Sequence, residues 1–268
     1  IGTLLPMLVI TLLGFKWFID GNPSAMDLSL SSLSIQPSNL KHLSIFCFII
    51  FGLIGIEMSA VHADEVDTPK SAYPKAILQS SIIIFVSLIL STLAVSLVVK
   101  ESDLSVTTGL IQAFIIIFHR YHIDYLIPYL TICIIIGSIS SVVTWIIGPT
   151  KGLLVASHDN CLPKWFCKTN SEQIPTNILR LQAAVFTALS FSYLFIPNVD
   201  SVYEILSILT TQLALFIYIL MFASAIKLRY KNQNNKNGFQ VPGGKLGLSV
   251  VAAVGTITCI SVIIIGFI

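Results

Sequence analysis

Long apolar runs, separated by short polar connections, dominate this chain. Seven runs are each about as long as a bilayer core requires of a helix, roughly 20 residues. They cover 1–19, 43–61, 76–99, 125–148, 178–196, 202–226 and 246–268. An eighth apolar stretch, 104–118, is shorter, carries Thr107, Thr108, Gly109 and Gln112, and runs into His119-Arg120-Tyr121-His122. It predicts a helix that lies at the membrane interface or re-enters it. The runs are too long and too uniformly apolar for barrel strands, and a helix satisfies its own backbone polar groups inside lipid. The expected fold class is an all-α membrane protein, with 1–268 forming one transmembrane domain.

Composition supports this reading. Of 268 residues, 55% are apolar and 10% charged, with a mean hydropathy of +0.88. A soluble domain carries roughly a quarter charged residues. The balance excludes a disordered chain, a soluble enzyme and a nucleic-acid binder, and makes the lipid bilayer the first partner. The chain opens at Ile1 and closes at Ile268, each within an apolar run, and reads as a fragment cut at both ends. Net charge is only +2, so its placement carries the information. Eleven of the lysines and arginines, including Lys70, Lys151, Lys164, Lys168 and Lys227, fall after the second, fourth and sixth runs or near them. Four, Lys16, Lys41, Lys100 and Arg120, fall on the other side. The connections at 62–75, 149–177 and 227–245 are therefore expected in the cytoplasm.

The second run holds the strongest chemical signal, Phe51-Gly52-Leu53-Ile54-Gly55-Ile56-Glu57-Met58-Ser59-Ala60. Two glycines three apart weaken helix propagation by about 1 kcal/mol each. A charged carboxylate in the hydrocarbon costs roughly 2.5–3.5 kcal/mol. Two readings fit. Either the helix is broken to expose backbone groups to a ligand, with Glu57 titratable, or the glycines form a packing seam and Glu57 reaches the interface.

The other polar features are weaker. Gly148-Pro149, after Trp145, predicts a helix break at the cytoplasmic interface. Thr210-Thr211-Gln212 is a polar island in the sixth run, suited either to bonding across helices or to lining a polar path. His62, Asp64, Glu65 and Asp67 lie among Pro69, Lys70, Pro74 and Lys75, the composition of a capped turn rather than a metal cluster. His119, His122 and Asp124 read as a solvated loop. The five cysteines are too scattered for a disulfide framework or zinc site. No nucleophile has a base at a recognisable spacing, so neither an enzyme nor a cofactor is expected.

The segment Gly52-Leu53-Ile54-Gly55-Ile56-Glu57, with Glu65, Pro69 and Tyr73-Pro74 after it, resembles the sixth helix and following loop of the amino acid–polyamine–organocation superfamily. Trp145-Ile146-Ile147-Gly148-Pro149-Thr150-Lys151-Gly152 resembles the end of its eighth helix, and Val241-Pro242-Gly243-Gly244-Lys245 the entry to its eleventh. The pattern is most similar to the bacterial glutamate/γ-aminobutyrate antiporter branch. The resemblance implies part of a LeuT-type fold: helix five, the whole second inverted repeat, and helix eleven.

It further implies a secondary active amino-acid transporter of the bacterial cell membrane, an antiporter exchanging glutamate- or γ-aminobutyrate-like substrates by alternating access. A cation-coupled symporter of the same fold and a non-transporting sensor or remnant are the alternatives. Carried over by position, Phe51, Gly52, Gly55, Ser141, Thr211 and Gln212 would contact the amino-acid substrate. Glu57 would serve proton coupling or gating. Ser140 and Ser141 stand where close glutamate exchangers carry Ala-Glu, a departure that bears on substrate selectivity.

Overall fold

The computed structural model describes residues 2–27, 40–231 and 241–267, without the side chains of 40–44, 63–65, 69 and 101. Among them every regular element is a helix. In chain order these are α1 (Leu4–Ile19), α2 (Leu40–Leu53), a 3-10 stretch (Ile56–Glu65), α3 (Pro69–Val98) and α4 (Gly109–Arg120). There follow α5 (Ile127–His158), α6 (Thr176–Ser190), the short α7 (Ser192–Phe195), α8 (Val199–Lys231) and α9 (Gly244–Ile265). Six segments are long and apolar enough to cross a membrane, beginning at Ile45, Lys70, Asp124, Thr176, Val199 and Gly244. At 16 residues, α1 is shorter. The chain is a multi-pass membrane protein. Its outward apolar side chains, such as Leu8, Leu12 and Phe15 on α1, are more than half exposed, as expected where lipid is the solvent.

The chain forms two compact units. The first comprises residues 1–28, 57–63 and 82–202; the second comprises 29–56, 64–81 and 203–268.

The first unit is built on a cluster from α1, the end of α3, α4 and α5: Ile10, Trp17, Ala94, Val98, Phe114, Ile117, Phe118 and Leu130 with their neighbours. A Cβ on Gly14 would stand 2.5 Å from that of Ala94, so only a glycine lets α1 approach α3 this closely. The stretch expected at the interface becomes α4, and its apolar stripe of Ala113, Phe114, Ile117 and Phe118 is buried against protein. Its amphipathic pattern thus answers to packing within the unit.

Two polar ties hold α4. Before it, the Asp200 carboxylate at the start of α8 accepts from Ser105 Oγ at 3.0 Å, from the Thr107 amide at 3.3 Å and from Thr107 Oγ1. After it, Tyr121 donates to Asp20 at 2.8 Å, and Asp20 also receives Lys16 at 2.8 Å. His119 Nδ1 stands 3.4 Å from Asp124 Oδ1 on the exposed turn that follows.

Two elements depart from expectation. Gly148-Pro149 does not break its helix, since α5 runs unbroken from Ile127 to His158 with Pro149 inside. Proline removes one backbone donor, the one that would bond the Trp145 carbonyl, and the helix continues past it. Thr150 Oγ1 bonds the Ile146 carbonyl at 2.6 Å and Gln182 Oε1 of α6 at 2.9 Å. The connection expected at 62–75 is mostly helical: the 3-10 stretch reaches Glu65 and α3 begins at Pro69. A proline in the first turn lacks only a donor that would have no partner there anyway.

In the second unit, α2, α8 and α9 share a core of Cys47, Leu215, Cys259, Val262 and Ile263. Gly243 and Gly244, with φ of 85° and 63°, turn the chain into α9, and Lys245 lies over the Tyr230 ring at 5.4 Å. Of the expected cytoplasmic tract at 227–245, residues 232–240 lie outside the described residues.

Candidate functional site

The site starts from a failure of helix continuity. α2 ends at Leu53, and Ile54 still bonds back to Ile50 at 3.1 Å. Gly55 then takes φ of +109°, a conformation closed to side-chain-bearing residues, and from Ile56 the chain winds as a 3-10 helix. Of the two sequence readings, the structure has the broken helix. The break also lies where the chain passes from the second compact unit to the first, between Ile56 and Glu57. Glu57 is half-buried in the first turn of the 3-10 stretch.

In the first unit, the residues after the break settle on the C-terminal half of α5. The Met58 methyl stands over Gly148, where an added Cβ would come within 2.5 Å of it. One turn on, Lys151 Nζ and His62 Nδ1 are 3.3 Å apart. The Glu57 motif and the Gly148-Pro149 motif, far apart in sequence, thus meet. Ser141, on the same α5, is exposed, and the neighbouring Ser140 hydroxyl bonds its own helix at Ile136.

In the second unit, the polar island on α8 divides its work. Thr210 is exposed and bonds back to Leu206. Thr211 is fully buried and donates to the Ser207 carbonyl at 2.8 Å, with the Cys47 carbonyl of α2 at 3.3 Å. Its hydroxyl therefore joins two helices. Gln212 is 7% exposed, and its Nε2 has no partner among the described residues. A buried amide left unpaired costs roughly 1–3 kcal/mol. The Phe51 ring meets that of Tyr203 edge-on at 6.5 Å. A cavity of about 230 Å³ adjoins the end of α2, lined by Ile50, Leu53, Ile54, Tyr218, Phe222 and their neighbours.

Of the expected site residues, Phe51, Gly52, Gly55, Thr211 and Gln212 belong to the second unit, Glu57 and Ser141 to the first. Sequence reasoning missed Tyr203, Met58 and the packing role of Gly148. Only Gly148 carried a signal, which was read as a helix breaker.

The sequence profile of the amino acid permease family matches residues 1–268, the whole chain. The chain belongs to the amino acid permease family. An uncharacterized transporter of Legionella pneumophila is 44% identical over 268 residues, which are 100% of this chain and 58% of that protein. A glutamate/γ-aminobutyrate antiporter of Lactococcus lactis is 28% identical over 271 residues, covering 100% of this chain and 54% of the relative. A probable agmatine/putrescine antiporter of the same species is 27% identical over 229 residues, 85% of this chain and 49% of that one. The permease chain spans about half the length of these relatives. The family and these relatives are transporters, not enzymes.

Proposed function

We propose that this permease chain is the substrate-carrying part of a secondary active amino-acid transporter, an antiporter working by alternating access at the bacterial cell membrane. The observation that carries the reading is the break at Gly55. Where a helix stops inside an apolar run, the dipoles of its last turn form a negative pole suited to a substrate ammonium. Phe51 and Gly52 stand in the last turn of α2 before this break. The buried amide donor of Gln212 suits an acceptor such as a carboxylate. A zwitterion supplies both groups. Glutamate and γ-aminobutyrate, substrates in the name of the Lactococcus relative, are members of this class.

Glu57, two residues past the break, is the proposed site of proton coupling or gating, and Ser141 a further substrate contact. The test is counter-flow exchange by the full-length protein in proteoliposomes, with a panel of labelled amino acids. Exchange that needs a second amino acid inside and no sodium gradient is expected. Uptake that depends on the gradient and not on internal amino acid replaces the antiporter with a symporter, and no uptake of any substrate removes the carrier reading. An unchanged pH profile in Glu57→Gln takes Glu57 out of the mechanism.

A further inference from the structure

The connection between α5 and α6 presents an aromatic residue outward on a fixed base. Residues 164–167 form a single 3-10 turn, Lys164-Trp165-Phe166-Cys167. The Trp165 carbonyl accepts from Asn177 Nδ2 at 3.0 Å, and Asn177 is buried at the start of α6. Cys167 Sγ donates to the carbonyl of Ser157, which is buried at the end of α5, at 3.4 Å. The turn is thus pinned to both flanking helices. Phe166 braces the Trp165 ring edge-on at 5.1 Å. The indole nevertheless remains 49% exposed. Its exposure is built in, not the result of a loose loop.

Charge supplies the second observation. Lys164 and Lys168 are both exposed and bracket the aromatic pair, while the acidic residues of this connection, Asp159 and Glu172, lie outside the bracket. The turn lies where two membrane-crossing segments end, so it stands at the boundary of lipid and water. Indole, with an apolar body and one N–H donor, is suited to that boundary.

We propose that this turn is an anchor for the headgroups of anionic lipids, with Trp165 seated in the headgroup layer and Lys164 and Lys168 facing lipid phosphates. Two lysines near an anionic surface enrich such lipids on the order of tenfold. The anchor does not depend on the transport reading.

The test uses the full-length protein in vesicles of phosphatidylcholine, with brominated phosphatidylcholine or brominated phosphatidylglycerol titrated in. Emission from Trp165 is the difference between the protein and Trp165→Phe. Quenching is expected at a fraction of brominated anionic lipid on the order of tenfold lower than of brominated zwitterionic lipid. Lys164→Gln with Lys168→Gln should abolish that preference and leave the helical circular dichroism unchanged. Should Trp165→Phe misfold, the lysine pair is compared with the parent protein on total emission, and a preference untouched by both substitutions overturns the proposal. So does a Trp165 emission that neither lipid quenches, which places the ring in water or under a protein partner. Equal quenching by both lipids also overturns it.

Discussion

Met58 packs its methyl onto Gly148, so the segment that follows the helix break lies on α5 at a point where α5 has no side chain. The nearest Met58 atom is the far end of a flexible chain, while its Cβ and Sδ stand back at 3.6 and 3.8 Å. Gly148→Ala should therefore be absorbed by a swing of Met58 and change stability by less than about 1 kcal/mol. Gly148→Leu overfills the contact and should cost about 1–3 kcal/mol. Met58→Ala should recover much of that loss. Thermal unfolding of the four proteins in detergent checks the cycle, and additivity of Gly148→Leu and Met58→Ala would refute the contact.

Gly55→Ala places a Cβ on a backbone with φ of +109°. The strain is of order 1–3 kcal/mol, and the chain relieves it by leaving this conformation. Exchange activity should fall further than the amount of folded protein does, measured as counter-flow rate per folded molecule. Equal losses in both would mean that the glycine serves folding alone.

Thr211→Val keeps the shape and removes the hydroxyl that joins α8 to the Cys47 carbonyl of α2. Such bonds in membrane proteins contribute about 0.6 kcal/mol on average, up to about 1.7. Thr210→Val loses only a bond to its own helix. The thermal midpoint should drop for position 211 and stay nearly constant for position 210.

Beyond the end of α1, the Asp20 carboxyl is held below the ordinary carboxylate value of 3.8, first by its bond from Lys16 and then by that from Tyr121. The Tyr121 phenol is pushed above 10.0, by its burial and by donating to Asp20. A lowered carboxyl pKa stabilises the fold above its unfolded value, and the benefit is lost as pH falls through the folded one. The gap in thermal midpoint between the parent protein and Asp20→Asn should be constant from neutral pH to about pH 5 and close below about pH 4. A gap that persists in acid would show that charge has no part in this tie.

Much of the fold was legible because lipid imposes a simple rule. Residues such as Ile82, Ile132 and Val250 are apolar and exposed, and in a bilayer that pattern alone marks a spanning helix. The Gly52–Glu57 signal was legible as a weak point in the span, since two glycines and a carboxylate are costly there, but the choice between a packing seam and a broken helix was not. The continuity of α5 through Gly148-Pro149 was not legible, because the contacts around it, Met58 on Gly148 and Gln182 on Thr150, come from residues distant in the chain.

The sequence alone determined an all-helical membrane protein, the order of its helices, and the place where one of them weakens. These follow from length, hydropathy and local propensity, which act within a few turns of the chain. Only the tertiary structure decided that α4 buries its apolar stripe in protein, that Thr211 joins two helices while Gln212 keeps a donor unpaired among the described residues, and that Met58 rests on Gly148. Each of these depends on which distant atom fills the space beside a side chain, and local hydropathy carries no record of that neighbour.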